Sequence, residues 1–481
     1  MFQTIASYWP HILAVLSFVL GGIAVIHAAM TKEDVRAAIG WVGVIMLSPL
    51  IGAAIYLVAG VNRMRRRQII SRRRRRGVDF RELLTHLSEG ESYIERFGSR
   101  MASLKRLGDT VTRTPLLPGN RVELLSTGDE TYAAFIAAID AAERSILLET
   151  YIFDNDEIGR RIAGRLIAAV RRGVEVRVLI DAVGARYTVP SIRGLLEDGG
   201  VPVAVFNGSV IVGLRLPYAN LRTHRKILVV DRRVAFAGGM NIRDAFTGPD
   251  AAHDTHFRVT GPVVSDLFAV AAGDWNFETG EVLKGAHWTG QPQPVDHGDG
   301  ALVRPVISGP DASLETNHSL MMGAFSVAEL SIRIMSPYFL PDAAFLAALA
   351  TAARRGVEVD IVVPSKNNLA IVAHAMMGQF GAVLRDGCRV FQATGPFDHS
   401  KLMVVDGCWS FVGSSNLDSR SLRLNFEIDL EIHDERFAEG IERRVLAARD
   451  AAHELTRDEI VGRPFLLRLL DRILWLGSPY L

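Results

Sequence analysis

The sequence predicts an α/β protein made of two tandem αβα sandwich domains with mixed sheets around a shared cleft, preceded by a transmembrane helical hairpin. Three observations carry this. A signature, His-x-Lys-(x4)-Asp-(x6)-Gly-[Gly/Ser]-x-Asn, occurs twice, as His224, Lys226, Asp231, Gly238, Gly239 and Asn241 and again 175 residues on as His399, Lys401, Asp406, Gly413, Ser414 and Asn416. The hexapeptide RRGVEV also occurs twice, at 171–176 and 354–359, each time between a helix-like run and a strand-like run. Two long apolar stretches, 11–30 and 37–61, open the chain.

Taken in order, each apolar stretch is long enough to cross a hydrocarbon core of roughly 30 Å at ~1.5 Å per residue. The six-residue turn TKEDVR separates them. Nine arginines follow the second stretch, at Arg63, Arg65 to Arg67 and Arg72 to Arg76, and no basic residue precedes the first. That bias predicts two spans with both termini and the catalytic halves on the cytoplasmic side. The arginine run also suits attraction of anionic lipid, on the order of 1 kcal/mol per basic residue. The resulting division is 1–62, the hairpin; 63–115, a basic juxtamembrane linker; 116–300, the first domain; and 301–481, the second, with a C-terminal amphipathic helix.

In the first domain, SILLETYIF, the helix-like IGRRIAGRLIAAV and VEVRVLI read as a parallel βαβ unit; in the second, SIRIMSPYF, FLAALATAA and VEVDIVV read the same way. HRKILVVD and HSKLMVVD then read as strands. Spacing of two puts His and Lys on one face, and the apolar run continues inward. Two copies packed about a pseudo-two-fold axis would bring both His-Lys faces into one cleft.

Those residue types suit a phosphodiester, an anion that repels nucleophiles. Lys226, Lys401, Asn241, Asn416 and Ser414 supply cations and donors for its oxygens. One neutral imidazole can attack phosphorus while a second, protonated one gives its proton to the departing oxygen. The chain has six lysines against 48 arginines, and two of the six are in the motifs, where a compact ammonium is not replaced by a planar fork. Asp231 and Asp406 belong to the catalytic signature, but each ends its strand five residues from the lysine, so they are expected to hold loops and backbone amides more than to touch substrate.

With YIFDNDEIG at 151–159, LRTHRKILVVD, GPVV with a following DW at 261–275 and GSSNLDSRSLRLNFEIDL at 413–430, the chain resembles the phospholipase D superfamily, and within it the membrane-bound bacterial cardiolipin synthases. The resemblance implies phospholipase-D-like domains and cofactor- and metal-independent transfer of a phosphatidyl group from one phosphatidylglycerol to the terminal hydroxyl of a second, giving cardiolipin and glycerol. It implies a bacterial inner-membrane enzyme acting on anionic phospholipids rather than nucleic acid. Repeat symmetry does not say which histidine attacks; the resemblance assigns His224 as nucleophile and His399 as general acid and then base. It also implies an acidic residue orienting each histidine, carried onto Asp254, thirty residues after His224, and Glu427, 28 after His399. The segment 364–380 departs from the family's more polar pattern, and the first motif has Gly-Gly where Gly-Ser is common.

Other features are open to two readings. Cys388 and Cys408 read as reduced and buried. His253 and His256 read as a metal pair or, more simply, as structural histidines. Met321, Met322, Met376 and Met377 line an acyl passage or fill core. The tail RPFLLRLLDRILWLGSPYL lies in the membrane interface or packs on the domain. A hydrolase releasing phosphatidic acid, transfer to a different alcohol acceptor, and a scaffold keeping a duplicated fold are the competing functions; two complete motifs argue against the scaffold.

Overall fold

The structure is a computed structural model describing residues 2–32, 34–60, 90–207, 221–289, 300–310 and 313–478. It divides into two units, residues 1–65 and 66–481. The arginine run lies outside the described residues.

In the first unit, α1 (Phe2–Thr31) contains the 24-residue stretch Tyr8–Thr31, long and apolar enough to cross a membrane. The second apolar stretch is not one helix. α2 (Val35–Leu47) starts on Asp34, whose carboxylate accepts from the amides of Arg36 and Ala37, and ends at Ser48. Pro49 then opens α3 (Pro49–Ile55), which continues as a π turn, Tyr56–Gly60. Proline disfavours helical geometry in the residue before it and lacks an N–H, so Ser48 leaves the helical region (φ −146°, ψ 82°) and the chain reverses. Trp41 meets Tyr56 edge-on at 5.3 Å, Tyr56 bonds His27 at 2.8 Å, and Lys32 Nζ donates to the Gly60 carbonyl at 2.5 Å. The stretch expected to cross a second time thus folds back to the end of α1 where it began.

Among the described residues, the second unit is built on one sheet of sixteen strands. The first half supplies β1 (Leu117–Leu125), β2 (Ser145–Thr150), β3 (Glu175–Asp181), β4 (Val203–Phe206), β5 (Ile227–Val230), β6 (Val234–Gly238) and β7 (His256–Thr260). The second supplies β8 (Ala301–Ser308), β9 (Ser331–Met335), β10 (Glu358–Pro364), β11 (Arg389–Ala393), β12 (Leu402–Val405), β13 (Trp409–Gly413), β14 (Asn425–His433) and β15 (Ala452–Leu455). Across the sheet they run β15-β11-β10-β9-β12-β13-β14-β8-β1-β7-β6-β5-β2-β3-β4. Outward from the antiparallel β8–β1 seam the halves match strand for strand, with β15 an added edge, so the repeat in sequence is a pseudo-two-fold in space. The sixteenth strand, Arg222–Thr223, pairs with the start of β14 and so crosses between halves.

The remaining helices used here are α4 (Gly90–Thr112), α5 (Gly128–Asp140), α6 (Glu157–Arg171), α7 (Val263–Thr279), α8 (Thr316–Val327), α9 (Ala343–Arg354), α10 (Ala370–Arg385), α11 (Glu435–Asp450) and α12 (Phe465–Leu476). The β2–α6–β3 and β9–α9–β10 units are parallel, as the hexapeptides predict, and the glycine of each hexapeptide takes the left-handed turn that ends its helix (Gly173 φ +87°, Gly356 φ +94°). α5 and α6 bury Ile139, Ile162 and Leu166 on one face of the first half, and α8 to α10 bury Leu320, Phe345 and Phe380 on the matching face of the second. α7 and α11 share the opposite face through a cluster drawn from both halves, including Leu267 and Ile441. Each such side chain contributes about 1.5–3 kcal/mol on burial, so the αβα layering and the union of the halves have the same origin. Met321 and Met376 are buried in the second-half core, with Met322 and Met377 packed against it, which is the gap-filling reading.

Residues 90–112, placed by sequence in the basic linker, form α4, kinked at Gly98. It packs not on the adjacent first half but on the second, burying Met101 and Leu104. Tyr93 bonds His433 at 2.7 Å and Asp109 receives Arg304 Nη1 at 2.6 Å. Arg304 is fully buried and also pairs with Glu431, which accepts from Trp409 Nε1 at 3.0 Å.

Candidate active site

The two motifs are brought together by backbone pairings that cross the pseudo-two-fold. The amide of His224 donates to the carbonyl of Phe426 at 2.8 Å, continuing the pairing of Arg222–Thr223 with β14. Reciprocally, the amide of His399 donates to the carbonyl of His253 at 2.7 Å and that of His253 to Phe397 at 2.8 Å. Each histidine is therefore pinned to the other half, beside the acidic residue that directly follows the residue pinning it, Glu427 after Phe426 and Asp254 after His253.

The consequence is a crossed pair. His224 Nδ1 lies 2.9 Å from Glu427 Oε2, and His399 Nδ1 lies 2.7 Å from Asp254 Oδ2. The two carboxylates singled out in sequence are both present, but each serves the histidine of the opposite copy rather than its own. Both are fully buried, as is all of β14, so Glu427 is not a solvent-facing charge. Its neighbours on that face have their own partners: Asp429 accepts from Ser415 Oγ at 2.5 Å, and Glu431 holds Arg304.

The lysines lie behind the histidines. Lys226 Nζ donates to the His224 carbonyl at 2.6 Å and sits 5.4 Å from the Tyr151 ring centre, while Tyr151 meets His224 edge-on at 5.0 Å. Lys401 Nζ donates to the His399 carbonyl and lies 3.8 Å from Asp254. It also lies 2.7 Å from His399 Nδ1. That nitrogen carries one hydrogen, which the carboxylate takes, so the carbonyl and Asp254 are the partners that satisfy the ammonium. Arg225, between His224 and Lys226 and facing away, is fully buried against Asp274 and donates to the Glu427 carbonyl at 3.0 Å. It braces β14 at Glu427; only the DW pair at 274–275 signalled it in sequence.

Electrostatics make the four groups one site. Burial lowers the Lys226 ammonium to about 7, against the pull of Glu427. Burial and Lys401 lower His399 to about 4, and burial lowers His224, against Glu427. Burial pushes the Asp254 and Glu427 carboxyls up, but Lys401 with His399, and His224 with Lys226, outweigh it and hold both below the usual carboxylate range. Each half depresses the other: Lys401 acts on His224 and Lys226 on His399. With Nδ1 held by a carboxylate, Nε2 of each imidazole has no partner among the described residues and is free to act.

Other residues named from the sequence fall elsewhere. Asp231 and Asp406 take left-handed backbone geometry (φ +53° and +51°), and each accepts three backbone amides: Glu143, Arg144 and Ser145 at 2.8–2.9 Å, and Glu329, Leu330 and Ser331 at 2.8–3.0 Å. They sit five residues beyond the lysines, roughly 15 Å along a strand, and tie strand ends rather than join the reacting groups. Ser414 does not point at a phosphate position either: its hydroxyl donates to Glu427 Oε2 at 2.6 Å and accepts from the Ile428 amide at 2.9 Å. Its counterpart is Gly239, where a Cβ would run into the Asp254 carboxylate, which accounts for Gly-Gly in the first motif. Asn241 Oδ1 accepts the Ile152 amide at 3.1 Å beside Tyr151, and Asn416 Oδ1 is buried with no partner among the described residues. His253 faces Asp398 at 3.9 Å and His256 packs on Phe135 at 5.2 Å, so the HDTH histidines go to different neighbours, and no cluster of metal-ligating side chains occurs among the described residues.

Comparison with known proteins follows the same lines. The family model described as "Cardiolipin synthase, PLD-like domain" matches residues 135–269 and 321–447, one match on each half. Cardiolipin synthase A of Pseudomonas fluorescens is 35% identical over 98% of this chain and 99% of its own length. The chain belongs to the phospholipase-D-like cardiolipin synthase family. Cardiolipin synthase of Alkalihalophilus pseudofirmus is 32% identical over 92% of this chain and 88% of its own. Among solved structures, phosphatidylserine synthase of Haemophilus influenzae superposes with a TM-score of 0.60 at 17% identity, over 79% of this chain and 100% of that one, and shares the fold.

Proposed function

We propose that the protein is a phosphatidyltransferase that makes cardiolipin from two molecules of phosphatidylglycerol. His224 Nε2 attacks the phosphorus of the first, and the bond to the glycerol headgroup breaks as His399 Nε2 gives its proton to the leaving oxygen. Glycerol departs, leaving a phosphatidyl-histidine. The terminal hydroxyl of the second phosphatidylglycerol then gives its proton to His399 and attacks the same phosphorus; the P–N bond breaks and cardiolipin is released. One phosphodiester replaces another, so no nucleotide is consumed.

The crossed pair is the observation that carries this reading. One neutral and one protonated imidazole, each fixed through Nδ1 by a buried carboxylate, suit the first to attack and the second, His399, which takes up its Nε2 proton when the phosphate anion is beside it, to give and retake a proton. Lys226, Lys401, Asn241 and Asn416 are assigned to the phosphate oxygens, where a low-dielectric site strengthens their effect. The protein acts on phospholipid at a membrane, not on nucleic acid. Relatives along nearly the whole chain are synthases, which favours transfer over hydrolysis. We further place it in the bacterial inner membrane with the second unit cytoplasmic. The return of Gly60 to the Lys32 end of α1 supports a single crossing, in place of the two spans and cytoplasmic N-terminus read from hydropathy. Purified protein given phosphatidylglycerol alone should yield cardiolipin and equimolar glycerol by mass spectrometry, and phosphatidic acid as the main product would mean water is the acceptor.

A further inference from the structure

The sequence leaves the C-terminal tail between two readings, and α12 satisfies both. Its inner face packs on α10. Asp471, 3% exposed, accepts from His374 at 2.7 Å and Arg463 at 3.1 Å, and Leu474 and Trp475 pack against the second-half core. At Gly378 of α10 a side chain would meet the α12 backbone, so the two helices lie in close contact. A helix packed by one face on a domain normally turns polar residues outward. This one does not: Phe465, Leu466, Leu469, Ile473 and Leu476 form the outer arc, with Leu466 75% and Leu476 71% exposed. Arg468 and Arg472 lie along one edge of that arc and make no ion pair among the described residues, and Arg472 lies 5.4 Å from the Trp475 ring centre. At twelve residues, ~18 Å, the helix is too short to span a bilayer.

The segment that departs from the family pattern also exposes apolar side chains. Leu369 and Ile371, at the start of α10, are 49% and 53% exposed. The two residues before them reach the site: Asn368 accepts from the Tyr338 hydroxyl at 2.8 Å, Asn367 donates to the Pro337 carbonyl at 3.0 Å, and Tyr338 meets His399 edge-on at 5.9 Å. From exposed Leu369 to the catalytic imidazole there are two intervening side chains.

We propose that α12 and the start of α10 form a monotopic docking face for an anionic phospholipid bilayer, separate from the contact made by α1, and that it sets the His399 side of the site against the lipid surface. Its outer leucines enter the acyl boundary while Arg468 and Arg472 meet anionic headgroups, a division that matches interfacial helices. The role given to this face rests on the reading of the site as one that acts on phospholipid, but its direct test does not use turnover.

A nitroxide attached through Ile473→Cys, in a Cys408→Ser background, is placed in full-length protein reconstituted into phosphatidylglycerol-containing vesicles. The proposal expects collisions with oxygen to exceed those with a water-soluble nickel chelate. The reverse, or exclusion of both, overturns it, the latter meaning that the apolar hairpin or a second copy covers the face. The triple variant Leu466→Glu, Leu469→Glu, Ile473→Glu should lower turnover on vesicles at least tenfold while leaving turnover on detergent-dispersed phosphatidylglycerol unchanged. An equal loss on both, or none on either, contradicts the proposal. If the nitroxide reports lipid but wild-type protein makes no cardiolipin from either form, the docking face stands and the functional reading fails.

Discussion

Replacing each buried carboxylate by its amide separates the two chemical steps, because the pairing is crossed. Glu427→Gln removes the anion 2.9 Å from Nδ1 of His224, and Asp254→Asn the one 2.7 Å from Nδ1 of His399. Each change takes away a charge-assisted hydrogen bond, about 1.5–3 kcal/mol, and allows the wrong tautomer, so a loss of ~10²–10⁴-fold in turnover on phosphatidylglycerol is expected for both. The difference appears with a phosphatidyl p-nitrophenyl ester, whose leaving group needs no proton. Stopped-flow should show a burst of p-nitrophenolate near the wild-type rate in Asp254→Asn, where the attacking His224 is intact, and a burst slowed ~10²-fold or more in Glu427→Gln. The opposite pattern would mean that each carboxylate serves the histidine of its own half, and equal bursts would refute division of labour between the imidazoles.

Much of this arrangement was legible from residues alone, and the parts that were not have identifiable reasons. Duplicated motifs at constant spacing and the two RRGVEV turns describe a doubled sheet, because strand and helix periodicities are local. The strand-end position of Asp231 and Asp406 likewise points to amide binding. Which carboxylate meets which histidine is not local. Asp254 and Glu427 stand at nearly the same distance from their own motifs, and only the pairings of His224 with Phe426 and of His399 with His253 decide the matter. The Ser414 hydroxyl reads as a phosphate donor until Glu427 is seen 2.6 Å away. Hydropathy averages over Ser48 and Pro49, so it reads one continuous helix where the backbone turns. α4 is not legible locally because its apolar residues answer to a surface more than 190 residues away, around Arg304 and His433.

Four further outcomes are expected. Ser414→Ala should lower kcat ~5–10-fold with KM for phosphatidylglycerol nearly unchanged, since the hydroxyl acts through Glu427; a raised KM with intact kcat would return it to phosphate binding. Asp406→Ala, which strands three amides, should cost about 2–4 kcal/mol in thermal or urea unfolding of the detergent-solubilised protein while the folded fraction keeps its kcat; a loss of kcat without a loss of stability would contradict this. His399 is held near 4 in the empty site against ~6.5 unfolded, so the unfolded chain binds more protons between these values and stability falls as pH drops from about 6.5 to 4. The depressed carboxylates add loss in the same direction further down, so His399→Gln should flatten the melting-temperature profile in that window, and an unchanged profile would show that His399 does not cause the slope. Finally, Thr4→Cys in intact spheroplasts should react with a membrane-impermeant maleimide if α1 is the only crossing; protection until lysis would support two spans.

The proposed mechanism passes through one covalent species formed by one histidine. Phosphatidyl p-nitrophenyl ester should be mixed with His399→Ala protein, quenched in base to preserve a phosphoramidate, and mapped by peptide mass spectrometry. A phosphatidyl adduct is expected on the peptide carrying His224, and none on the peptide carrying residue 399 in the matching His224→Ala protein. An adduct at His399 in His224→Ala protein, or cardiolipin formed without any adduct, would contradict it.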